Sequence, residues 1–153
     1  MADVDVTVEV GAPAPRVWSL IGDPTRMGEW SPECHRVEWQ RGATQPAVGA
    51  SFKGHNRIGW RRWWTIGTIT AFEPEREIAW DVHFAGVPVA HWSYRIDPSG
   101  DGGCTVTESF DDRRAQPLRL LGPVARGVRD YNAHNRAGME ATLARLKTAA
   151  EAS

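Results

Sequence analysis

A chain of 153 residues, 41% hydrophobic and 24% charged, is one domain's worth of globular sequence and can bury a real core. Its formal net charge of −1 supplies no concentrated basic surface, so no nucleic acid partner is expected. No apolar run approaches a membrane span, which argues against membrane insertion.

Nothing at the N-terminus resembles a secretion signal, which makes the cytoplasm the expected compartment. The two cysteines, Cys34 and Cys104, are then expected as reduced thiols. In chain order, Val4, Val6, Val8 and Val10 alternate with acidic and hydroxyl residues, the pattern of a half-buried strand. Pro15 suits the first turn of a helix that places Val17, Trp18 and Ile21 on one face. Asp23-Pro24 ends it, and a second short turn or helix is predicted over Thr25 to Glu29. Trp30-Ser31-Pro32-Glu33 is a stop.

Six more strands are predicted, from Cys34 to Gln40, Ala50 to Arg57, Arg61 to Phe72, Glu77 to Phe84, Val87 to Ile96 and Cys104 to Phe110. Short turns between them imply an antiparallel meander. Leu118 and Leu121 precede the helix-breaking Gly122-Pro123. Beyond it, Val124, Val128, Tyr131, Asn135, Met139, Leu143 and Leu146 recur at helical spacing as one stripe. The predicted architecture is α+β: a curved antiparallel sheet of seven strands around a long C-terminal helix, with two short helices after the first strand. Residues 1–153 are expected as a single domain. A twisted sheet and a straight helix touch along a line and leave space beside it, so a cavity is expected between them.

Eight tryptophans are a heavy load for a core of this size. Trp39, Trp63 or Trp64, Trp80 and Trp92 fall in separate predicted strands, and aromatic walls on neighbouring strands suit a pocket for an apolar guest. Trp18 is expected in helix-to-sheet packing, Trp30 at a corner and Trp60 in a turn. Trp63 and Trp64 point to opposite faces, and alternation alone does not choose between them. The outward indole would be a surface aromatic suited to a dimer contact.

Several short motifs join this order of elements. Ala12-Pro13 precedes Val17-Trp18, then come Asp23 and Trp30-Ser31-Pro32-Glu33, then the run from Gly49 to Asn56, Glu73-Pro74, and Trp92-Ser93-Tyr94 leading to Val106-Thr107-Glu108-Ser109. On these residues the chain resembles the SRPBCC superfamily, which groups START lipid-transfer domains, birch-pollen-allergen-like proteins and polyketide cyclases/dehydrases. In particular it is similar to uncharacterised bacterial members of the actinobacterial type. The resemblance implies a helix-grip fold with a deep hydrophobic cavity under the C-terminal helix, and it favours Trp63 as the inward member of its pair. It leaves activity open, because that scaffold hosts binders, transfer proteins and enzymes.

Polar residues in phase with apolar ones are the candidate site. Asn56 shares a face with Phe52 and Gly54, and it either faces inward or caps the turn before Gly59. Tyr94 is in phase with Trp92 and Ile96, either as a core residue with its hydroxyl at the rim or as part of a site. Asn135 shares the helical stripe with Tyr131 and Met139. Glu108, in phase with Val106 and Phe110, either splays to solvent, pairs with an arginine, or faces inward with a raised pKa. The candidate ligand-binding set is Asn56, Trp63, Trp80, Trp92, Tyr94, Glu108, Tyr131, Asn135 and Met139.

No metal site is expected from His35, His55, His83, His91 and His134, whose spacing matches no ligand pattern. His134, next to Asn135, either reaches a cavity mouth or is a solvated helix residue, the second being the commoner role. The pairs Arg61-Arg62 and Arg113-Arg114 are read as solvated faces or strand ends. No cofactor fingerprint occurs. The expected function is binding of a hydrophobic or aromatic small molecule, a lipid or polyketide-like metabolite, by a monomer or homodimer. The alternative is a polyketide cyclase/aromatase or dehydratase, with Glu108 and Tyr94 as the catalytic acid/base candidates and Asn56 and Asn135 holding carbonyl oxygens.

Overall fold

A computed structural model describes residues 2–115 and 130–152. Strand β1 (Val4–Val10) is followed by helix α1 (Ala14–Ile21) and a 3₁₀ segment (Pro24–Glu29). Strands β2 (Cys34–Gln40), β3 (Ser51–Ile58), β4 (Arg61–Glu73), β5 (Glu77–Phe84), β6 (Val87–Pro98) and β7 (Cys104–Asp112) form the meander, and helix α2 (Tyr131–Glu151) ends it. The order across the sheet is β1-β7-β6-β5-β4-β3-β2, so the first strand docks beside the last and every neighbouring pair is antiparallel.

Local chemistry explains the element ends. Pro15 sits in the first turn of α1, where a missing N–H costs nothing, and the Gly22 N–H closes the helix on the Trp18 carbonyl at 2.8 Å. Asp23 caps the 3₁₀ segment by accepting from the Thr25 N–H at 2.9 Å. Gly59 supplies the positive φ of 60° at the first position of the two-residue β3–β4 turn. At the β5–β6 turn, Ala85 and Gly86 both take positive φ, at 50° and 80°, as a type I′ hairpin demands.

Bulges at Cys34/Arg36, Ile69/Ala71 and Val82/His83 bend three strands and curl the sheet. Helix α2 lies along β1 on the concave side. Arg136 donates to the Asp5 carbonyl at 3.3 Å and Lys147 to the Glu9 carbonyl at 2.6 Å, so the helix runs parallel to β1. Glu151 then accepts from the Gly11 N–H at 2.7 Å, and Met139, Leu143 and Leu146 are buried against the core.

The predicted stripe is interrupted. Asp130 has extended backbone and its side chain accepts from the Ala133 N–H at 3.0 Å, so it is the N-cap and α2 starts at Tyr131. Leu118, Leu121, Gly122, Pro123, Val124 and Val128 lie outside the described residues.

One close approach shapes the floor of the sheet. The Phe52 ring lies over Gly67, its register partner on β4, and a Cβ there would clash with the ring at Cζ. That ring also makes edge contacts with Trp39 and Trp80. Gly67→Ala is therefore expected to lose about 1–3 kcal/mol through forced repacking. Urea unfolding checks this; a midpoint equal to the native one would show that the ring swings away without strain.

Candidate functional site

The space between α2 and strands β3 to β7 is a cavity of about 570 Å³, in the range of small-molecule sites. Strand parity builds its walls. Asn56 faces Trp63 across β3–β4, Trp80 faces Trp92 across β5–β6, and Tyr94 faces Glu108 across β6–β7. Helix α2 contributes Tyr131, Asn135 and Met139 from one face. All nine residues of the candidate set border this cavity.

The aromatic rings form two files. One runs Trp39–Phe52–Trp80–Tyr94 with centroids 6.2, 6.0 and 5.9 Å apart. The other runs Trp92–Phe110–Tyr131 at 4.8 and 5.5 Å. Trp39 does not reach the cavity: it sits at the far end of its file, edge-on to Phe52, on the edge strand β2. Trp63 borders the cavity, whereas Trp64 is 40% exposed on the convex side. Trp18 packs on Phe72 at 5.4 Å, and the buried Trp30 donates Nε1–H to the Leu20 carbonyl at 3.3 Å.

Glu108 faces inward. Its carboxyl is buried, Tyr94 donates its hydroxyl to Oε1 at 3.1 Å, and Oε2 has no partner among the described residues. Burial pushes its pKa up to about 8, against the Tyr94 hydrogen bond, which favours the carboxylate. Burial likewise raises the Tyr94 phenol well above its ordinary value, with the Glu108 charge adding to it. The pair thus holds its protons at neutral pH, and with Oε1 accepting from Tyr94 the carboxyl proton belongs on Oε2.

Asn135 Nδ2 is the second buried polar atom at the cavity without a partner among the described residues. Its position follows from register. Tyr131 meets Phe110, and one turn along α2 matches the step from Phe110 to Glu108, because α2 runs antiparallel to β7. Asn56 lies across the cavity floor from these two, and its amide reaches the Gly54 carbonyl and Thr65 Oγ1 only at 3.5 and 3.4 Å. It is buried within its strand, so it does not cap the β3–β4 turn.

Three further residues at or beside the site lie outside the candidate set. Cys34 borders the cavity, and burial pushes its thiol up to about 12, so it is an inert neutral thiol there. His134 is half-buried rather than solvated, with Nε2 3.3 Å from Glu33 Oε1 where the cavity nears the surface. Arg114 is not a solvated strand end. Its side chain is 5% exposed, forms two hydrogen bonds to Asp112 at 2.9 and 2.8 Å, and stacks 3.8 Å above the Tyr131 ring. The alternation that put Val106, Glu108 and Phe110 inward continues through Asp112 to Arg114 and would have found it.

Of the remaining histidines, His55 pairs with Glu38 at 2.9 Å and His91 with Asp81 at 2.6 Å. No helix among the described residues is long and apolar enough to cross a membrane.

Comparison with known proteins adds the lineage. The polyketide-cyclase-like protein Cgl2372 of Corynebacterium glutamicum is 26% identical, with a TM-score of 0.60 over 97% of this chain and 88% of that one. The major latex-like protein 151 of Panax ginseng shares the fold at 14% identity, with a TM-score of 0.72 over 97% of each chain. The uncharacterised protein Rv0088 of Mycobacterium tuberculosis is 27% identical over 149 residues, 94% of this chain. The chain spans 62% of that relative's own length. The sequence profile described as polyketide cyclase / dehydrase and lipid transport matches residues 1–151, and the chain belongs to that family.

Proposed function

We propose that this protein binds an apolar or aromatic small molecule, a lipid or polyketide-like metabolite, in the cavity under α2. The observation that carries this reading is the composition of the lining: Trp63, Trp80, Trp92 and Tyr131 form broad apolar walls, while two buried polar atoms that border the same cavity, Glu108 Oε2 and Asn135 Nδ2, lack partners among the described residues. The Glu108 Oε2 proton and the Asn135 amide are donors without partners, so they suit one carbonyl or hydroxyl oxygen on an otherwise apolar guest. A carboxylate-headed guest is a poor match for this pair, because a protonated carboxyl and an amide supply it no cation.

Native mass spectrometry after incubation with a panel of fatty acids, aromatic ketones and their hydrocarbon counterparts tests the reading. One retained molecule per chain is expected, with ketones held more tightly than hydrocarbons. Trp92→Ala should weaken retention on the order of tenfold through lost wall area. Asn135→Leu should weaken ketones and leave hydrocarbons unchanged. A protein that retains nothing and shows no thermal shift with any of the panel would sink it.

Catalysis in the same cavity is the second reading, favoured by one observation: Glu108 changes protonation state within reach of neutral pH, with Tyr94 in contact. A cyclase or dehydratase would use that pair to move a proton to and from a poly-β-ketone held by Asn56 and Asn135. Tyr94→Phe separates the readings, since a binder keeps its ligand and an enzyme loses turnover.

A further inference from the structure

The two turns at one end of the sheet, β3–β4 and β5–β6, carry four of the five exposed large hydrophobic side chains among the described residues. These are Trp60 at 81% exposure, Trp64 at 40%, Phe84 at 43% and Val87 at 41%. Trp60 projects from the turn itself, and Trp64 and Phe84 touch at 5.5 Å. Side chains of this size at a turn gain nothing from the protein's own core.

Four cations surround them. Arg61 lies 4.5 Å above the Trp60 ring and Lys53 lies 5.0 Å above that of Trp64, while Arg57 and Arg62 are exposed beside them. None of the four forms a salt bridge among the described residues. Residues 53–64 and 82–90 contain no acid. The nearest carboxylates are already engaged, Glu33, beside Arg57, with His134, Glu38 with Arg36 and His55, and Asp81 with His91. The acids of the opposite end, Glu73, Glu75, Glu77, Asp97 and Asp101, cluster at the β4–β5 and β6–β7 turns. The others at the same end lie across the molecule: Asp3 just before β1, Asp111 and Asp112 on β7, and Asp130, which caps α2.

We propose that this aromatic and basic end is a peripheral docking surface for an anionic lipid bilayer. Tryptophan is suited to the headgroup layer, where its ring is dehydrated and its N–H stays wet, and arginine and lysine meet the lipid phosphates. A second copy of the chain is a poor occupant, because it would bring eight unpaired cations face to face. Continuity with the cavity also fits a bilayer. Arg57, Ile58 and Gly59 border the cavity as well as the basic turn, so the docked surface would hold the cavity opening against the lipid. No spanning segment is required, and no ligand need occupy the cavity.

Flotation of the full chain with vesicles tests the proposal, independently of what the cavity holds. Binding is expected to vesicles of phosphatidylcholine containing about one-third phosphatidylserine, and to be at least about tenfold weaker to pure phosphatidylcholine or in high salt. Arg61→Glu with Arg62→Glu should lower binding by about tenfold or more, and Trp60→Ala by several-fold. These exposed changes should leave the circular dichroism and melting temperature unaltered. Vesicle binding that is absent in the native chain, or unaffected by both variants, overturns the proposal. So does loss of binding in competition with duplex DNA that itself binds through the same arginines, or a dimer in sedimentation that the Trp60 variant abolishes.

Discussion

Between pH 5 and pH 8.5 the native protein should lose stability, and Glu108→Gln should not. The Glu108 carboxyl is raised by burial from 4.5 to about 8 in the folded chain. Between those values the unfolded chain has released the proton and the folded chain still holds it. Stability therefore falls as pH rises, because unfolding releases a proton. The contribution is complete below about pH 4.5, erodes through the window and is gone above about pH 8. Its size is on the order of 4 kcal/mol across the window, equivalent to a melting temperature lower by roughly 10 °C at the alkaline end. Glutamine keeps the shape and a hydrogen-bonding partner for Tyr94 while removing the ionisation, so its profile should be flat where the native one slopes. The two curves should cross, with the variant more stable at high pH.

Other groups do not imitate this difference: the Cys34 and Cys104 thiols, raised by burial, act in the same direction only as pH nears the thiol range, and equally in both proteins. Glu29, Glu38, Asp101 and Glu151 are held below their ordinary values by hydrogen bonds from Arg26, His55, Ser99 and Lys147 in turn. Their contributions are lost as pH falls below the usual carboxylate range, outside the window. His35, lowered by burial and then by the neighbouring Arg57 and Arg62, works in the opposite direction and is common to both proteins. Parallel profiles for the native chain and Glu108→Gln would refute an inward, protonated Glu108.

Strand parity explains why so much of this site was legible. A side chain on a strand has two choices of face, and the valines of β1 and the apolar residues of β5 to β7 fix which face is inside. Glu108, Tyr94 and Asn56 follow from that choice without any knowledge of their partners. Depth along the strand is another matter. Trp39 and Trp80 both face inward, yet only Trp80 borders the cavity, because the Phe52 ring stands between them. Helical spacing does not mark where α2 begins: its start is set by Asp130, three residues before Ala133, whose side chain caps it. The pairing of Trp63 or Trp64 was undecidable from alternation, since both neighbours are indoles. Register with Asn56 on β3 resolves it.

The Arg114 guanidinium offers the strongest test of how the cavity's α2 wall is held. Asp112 and Arg114 form a nearly enclosed pair, with side chains 12% and 5% exposed, and Arg114 lies against the face of Tyr131, the first residue of α2. Tyr131 in turn meets Phe110 edge-on, so the pair, the ring and the strand form one packed unit where the helix begins. Arg114→Met removes the cation but keeps much of the volume, leaving the Asp112 carboxylate in a poorly hydrated place. The expected loss is about 3–5 kcal/mol, the range for breaking a buried pair from one side. Asp112→Asn with Arg114→Met removes both charges and should recover much of that loss. A purely packing role for Arg114 predicts that the double variant is no better than the single one. Guanidinium unfolding of the four proteins in the cycle distinguishes these outcomes. Recovery in the double variant would assign the energy to charge pairing. It would also leave cation–π contact with Tyr131 as the smaller residual, on the order of 1–2 kcal/mol, visible as the remaining gap to the native chain.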